Sequence, residues 1–199
     1  MARIWVPEAN QPIGATEPIG RRLFETPRLA GDILRGRADG WKDVLITDHF
    51  LESRDPGEVS LDRLGRFGVD PLVRDVLRPI AEDMFASRTP PRKFVGWVWL
   101  KADKLRSPGK GASAYDPLPS PVHADELHKI KENAHHAHVC RRPGDTAWIT
   151  AVALRALFER HGSLDRVSEK RSRLWIYSRW IFAVCGRIRT YFVDRSARR

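Results

Sequence analysis

The 199-residue chain predicts an α+β fold: a small mixed sheet, a long and largely buried helix, and a C-terminal amphipathic helix. Three observations carry this reading. Short apolar runs of strand length, such as "KFVGWVWLK" at 93–101, are interspersed with two stretches of helical spacing. A hydrophobic fraction of 42%, with seven Trp and eight Phe, suffices for a core, and 30% charged content is ordinary for a folded domain. The composition then changes after Gly162, which divides the chain into an expected globular domain, 1–162, and a basic extension, 163–199.

The elements follow in chain order. "RIWV" at 3–6 and "VLIT" at 44–47 are short, branched and apolar, as strands are. "DHFLESRDPGEVS" then reads as a polar loop. Asp70-Pro71 opens a helix, with Asp as N-cap and Pro at the first helical position, and Leu72, Val73, Val76, Leu77 and Ile80 recur at helical spacing. Pro79 lacks an amide hydrogen and is expected to kink or divide that helix. Residues 93–101 carry apolar side chains on both faces, which predicts a central strand. From Arg106 to Val122 a Ser-, Pro- and Gly-rich run predicts a long surface loop, and "HHAHVC" a short strand. Asp145 is the expected cap of a helix that ends at Gly162. Its apolar residues cover most of the circumference, so it should be largely buried against the sheet.

Charge is unevenly placed. Residues 141–199 hold 14 Lys+Arg against 5 Asp+Glu, and residues 1–140 hold 21 against 20. Nearly all of the net +10 therefore lies in the last 59 residues. Over 174–193 the apolar residues gather on one side of a helical wheel, with arginines opposite. The arginines Arg171, Arg173, Arg179, Arg187 and Arg189 are the expected anion-binding groups, and the expected partner is nucleic acid, an anionic membrane surface or another protein; the alternative is a final helix packed on the domain's own core. A spanning helix is not expected: the run between arginines falls short of ~20 apolar residues, and each intramembrane Arg costs about 2.5–3.5 kcal/mol. Two cysteines, without a CxxC pair, form no disulfide framework, and the N-terminus lacks the basic-then-apolar run of a secretory signal. A cytoplasmic setting is expected.

"PVHADELHKIKENAHHAHVC", residues 121–140, holds five of the seven histidines. Two arrangements here could hold a zinc ion. A helix over 124–136 places His128, Glu132 and His136 on one face at i, i+4, i+8. A strand over 136–140 points His136, His138 and Cys140 the same way. The leading expectation is a binding or accessory protein that meets its partner through the Arg-rich C-terminus, and the alternative that these donors suit is a metal-dependent hydrolase such as a nuclease or phosphodiesterase. HExxH is absent, and the zinc-deaminase pattern fails because His123 is followed by Ala124-Asp125 with no CxxC beyond. "HAHVCR" departs from the metallo-β-lactamase and histidine-triad motifs at Cys140. A buried histidine satisfied by a backbone carbonyl is the structural alternative, and His135-His136 cannot both face one core.

Two segments together, "DPGEVSLDR" at 55–63 and "NAHHAHV" at 133–139, resemble a family of short, uncharacterised bacterial proteins. That family has a D-G-x-x-S-V-D-R element and a late N-P-x-H-A-x-V element. Leu61 stands for its valine and Ala134 for its proline, and the likeness spans roughly 45–160. The resemblance implies no assigned activity. It singles out Ser60, Asp62, Arg63 and His136, with Asp62 expected to orient Arg63 or His136 in a polar pocket. Alternatively, Ser60 caps a helix and Asp62 favours its first turn.

Overall fold

A computed structural model of the chain describes residues 4–8, 10–26, 45–51, 56–125 and 132–166. The chain divides into two units, Met1–Asp165 and Arg166–Arg199, and the described residues fall almost wholly in the first. The C-terminal helix expected over 174–193 lies outside them, as do Arg171, Arg173, Arg179, Arg187 and Arg189.

Six strands form one sheet: β1 (Pro18–Phe24), β2 (Glu58–Arg63), β3 (Phe94–Lys101), β4 (Pro117–Pro119), β5 (His136–Cys140) and β6 (Ser163–Arg166). Their order is β4-β5-β2-β1-β3-β6. The β1–β2, β1–β3, β2–β5 and β4–β5 pairings are all antiparallel, so the expected mixed sheet is corrected to an antiparallel one at these ladders. Because β2 and β3 both oppose β1, they run parallel to each other, and α1 (Pro71–Ala86) makes the crossover between them.

One face of the sheet carries Ile19, Leu23, Val59, Leu61, Val98, Leu100, Ala137 and Val139, and these join Ala151, Leu154, Leu157 and Phe158 of α3 (Ala147–His161) in the core. A 3₁₀ turn, Thr47–Phe50, adds Phe50, whose ring lies 5.2 Å from that of Phe158. A short helix, α2 (Ala102–Arg106), follows β3 and contributes Ala102 and Leu105. On the other face α1 lays Phe85 against Phe24 and Phe94, at 5.7 and 6.1 Å between ring centres. Each fully buried Leu, Ile or Phe contributes about 1.5–3 kcal/mol, so this double-sided cover holds the sheet.

Local chemistry explains the helix ends. The Asp70 carboxylate accepts the Leu72 amide hydrogen at 2.9 Å with Pro71 behind it, as expected. Val73, Leu77, Ala81 and Phe85 form the buried stripe, and the helix runs undivided through Pro79. The packing of that stripe outweighs the single backbone hydrogen bond that Pro79 cannot make. α3 starts one residue later than the expected Asp145: Thr146 is its N-cap, accepting from the Ile149 amide at 3.2 Å. Gly162 ends it. α3 is also less buried than its composition predicts, since Trp148, Ile149 and Val152 are exposed.

Several strand expectations are overturned. Ile4–Val6 form no strand; Trp5 lies instead over the Arg63 guanidinium, 5.3 Å from its ring centre. Leu45 and Ile46 are irregular, and the 3₁₀ turn takes up Thr47. The supposed polar loop carries β2, the supposed surface loop 106–122 carries β4 and the buried Tyr115, and the supposed extension begins with β6. No helix among the described residues is long and apolar enough to cross a membrane.

His49 is buried beneath this sheet. Its Nδ1 accepts from the Ile46 amide at 3.3 Å and its Nε2 donates to the Phe24 carbonyl at 3.1 Å, a neutral tautomer. Burial pushes its pKa down to about 4, against the weaker opposing pull of the Phe24 carbonyl. The unfolded chain binds this proton near pH ~6.5 and the folded chain does not, so stability falls as pH drops from ~6.5 to about 4. The expected loss from this residue is about 3 kcal/mol, and His49→Gln should flatten the slope by that amount in urea titrations at pH 7 and about pH 4.

Candidate metal centre

β2 and β5 meet in a register that pairs Glu58 with Cys140, Ser60 with His138 and Asp62 with His136. Successive strand residues alternate faces, so these six side chains share one face, and their neighbours Val59, Leu61, Ala137 and Val139 enter the core. Arg22 and Trp97 pair with each other in the β1–β3 ladder and lie on the same face as Asp62. The result is a polar stripe across the sheet, closed at one end and open at the other.

The closed end is ionic. Asp62 is 1% exposed and takes both Arg22 Nε and Nη2 at 2.6 Å. Trp97 Nε1 donates to the same carboxylate at 2.8 Å and Asn133 Nδ2 at 3.4 Å. Burial by itself pushes the Asp62 carboxyl up; Arg22 and the Trp97 hydrogen bond outweigh it and hold its pKa below the usual carboxylate range. His136 stands opposite, its Nδ1 2.7 Å from the Ser120 carbonyl. Burial lowers its pKa, with Asp62 pulling the other way, so its neutral form is favoured and Nδ1 is the donor.

The open end brings together three side chains of metal-ligand type. One ligand atom each from Glu58, His138 and Cys140 lies within 4.8 Å of the others. His138 Nε2 is 3.7 Å from Glu58 Oε1, and the His138 Nδ1 is buried without a hydrogen-bond partner among the described residues. Zinc bonds of 2.0–2.3 Å in a tetrahedron space their ligand atoms about 3.3–3.7 Å apart, so small side-chain rotations close the set. Imidazole, thiolate and carboxylate are all zinc donors, and three protein ligands leave one position open.

His136, His138, Cys140, Ser60 and Asp62 thus share this face, as the strand alternative for 136–140 expects, but the donors that converge among the described residues are His138 and Cys140 with Glu58, without His136. The helical alternative over 124–136 is overturned at its end, because Asn133 bridges Val122 and His136 begins β5. Glu132 is exposed and lines a groove of about 250 Å³ with Ile4, Val6, Val76, Ile80 and His135. His128 lies outside the described residues. Arg63 is not oriented by Asp62: it points to the opposite face and binds Glu17 at 2.5 and 3.2 Å and the Gln11 carbonyl at 3.1 Å. Asp62 orients Arg22 instead, and Ser60 and Asp62 lie in a strand rather than at a helix cap. His135 is buried while His136 is only partly so, as adjacent strand-side residues must be. Glu58 and Arg22 were not foreseen, although the strict alternation of "EVSLD" is a strand signal. No family model, curated protein or solved structure matches the chain.

Proposed function

We propose that the protein carries a zinc-class ion on Glu58, His138 and Cys140 and uses it as a metal-dependent hydrolase acting on a phosphodiester. The convergence of three donors within 4.8 Å on a solvent-facing strand pair supports this reading. An ion held by three side chains keeps a position for water, and its charge lowers that water's pKa toward about 7. Neutral His136 lies one pleat away on the same strand, oriented through Nδ1 by Ser120. Protein purified without a histidine tag should contain about one zinc per chain by elemental analysis, and Cys140→Ala and His138→Ala should each empty the site. Absence of zinc, nickel, iron and manganese from the native protein ends the proposal.

The charge distribution supports a second reading that complements it. The +9 of residues 141–199 suits a polyanion such as nucleic acid, in a cytoplasmic setting where thiols stay reduced. A tail that contacts about six phosphates loses about 10³-fold in affinity between ~50 and ~200 mM salt. Gel shifts of the full chain across that range should show this fall; no shift at low salt removes the polyanion.

A further inference from the structure

We propose that Cys140 is an oxidation site whose modification by hydrogen peroxide expels the metal. This rests on the metal reading above. The His138 side chain is the more enclosed donor, 14% exposed against 36% for Glu58, and Cys140 is exposed at the end of β5. An oxidant arriving from solvent therefore reaches the sulfur directly. Cys140 is also the sole sulfur of the set, so its loss leaves one imidazole and one carboxylate. The cysteine at 185 lies outside the described residues, and no disulfide partner for Cys140 is present among them.

The chemistry balances with peroxide as the only co-reactant. The thiolate sulfur attacks one peroxide oxygen, an S–O bond forms and the O–O bond breaks. The leaving hydroxide takes up a proton and becomes water. Sulfur loses two electrons and becomes a sulfenic acid, and peroxide is reduced by two. A sulfenic acid is a weak zinc ligand, so affinity should fall by more than the ~10–100-fold that loss of an outer-shell partner costs. Dithiothreitol returns sulfenic acid to thiol and restores the site.

The test uses the full chain carrying Cys185→Ser, so that Cys140 is the remaining thiol. Zinc content is measured before and after peroxide with a zinc chromophore, and dimedone capture followed by mass spectrometry locates the sulfenic acid. About one zinc per chain should be released as Cys140 becomes labelled, and rebound after dithiothreitol. Zinc that stays bound while Cys140 is labelled overturns this inference alone, as does a Cys140 that peroxide leaves unlabelled. An unoxidised protein that holds no zinc overturns the metal reading and this inference together.

Discussion

Replacing Asp62 with Ala should destabilise the protein by about 3–5 kcal/mol, the cost of stranding one partner of a buried ion pair. The carboxylate takes four hydrogen bonds, two of them from Arg22, whose side chain is only 13% exposed. Its removal leaves a guanidinium charge and the Trp97 N–H in a largely dry environment, beneath α1. Because the folded pKa of Asp62 is lowered, this stability is whole above the unfolded carboxylate value near ~3.9 and is lost as pH falls through the folded one. Urea denaturation at pH 7 measures the difference. The double variant Arg22→Met/Asp62→Leu should recover most of the loss, since an apolar pair of similar size strands no charge. A loss under about 1 kcal/mol in Asp62→Ala would sink the account, because exposed ion pairs contribute that little.

Gly65→Ala should cost about 3 kcal/mol or more. Gly65 joins β2 to α1 with φ +154°, and a Cβ there would sit 2.0 Å from the Gly68 carbonyl oxygen. Strain of this kind costs about 1–3 kcal/mol from the dihedral alone, and the overlap is with backbone, which cannot rotate away. The turn is also closed by the Asp70 amide on the Leu64 carbonyl at 2.7 Å, the same Asp70 that caps α1. Thermal unfolding of Gly65→Ala beside Gly68→Ala makes the comparison, since a Cβ at Gly68 meets nothing within 4 Å. Equal melting temperatures would refute the geometry.

The parts of the fold legible in the sequence are those that local chemistry dictates. Asp70-Pro71 and Gly162 mark helix ends because orphan amides and carbonyls need partners wherever the helix packs. "KFVGWVWLK" is apolar on both sides because helices cover both sides. The strands that escaped notice carry charge where strands usually do not. β1 contains Arg21-Arg22, and both guanidiniums are satisfied by distant groups: Arg22 pairs with the Asp62 carboxylate, and Arg21 donates to the carbonyls of His49, Ser60 and Leu51. Those partners are 28 to 40 residues away, beyond any local pattern. The candidate site was half legible for the same reason. His138 and Cys140 announce themselves by alternation within β5, whereas Glu58 joins them only through the β2–β5 register. Arg63 misled, because it follows Asp62 directly and so must face the other way.

β4 reads Pro-Leu-Pro at the margin of the sheet, and Ser120 donates its amide to the His136 carbonyl at 3.0 Å. By that parity Leu118 and Ser120 address β5, and Pro117 and Pro119 face outward with no hydrogen to offer. A neighbouring polypeptide seeking to extend the sheet from that margin finds no donors along it. Edge-to-edge pairing of copies along β4 is thereby disfavoured.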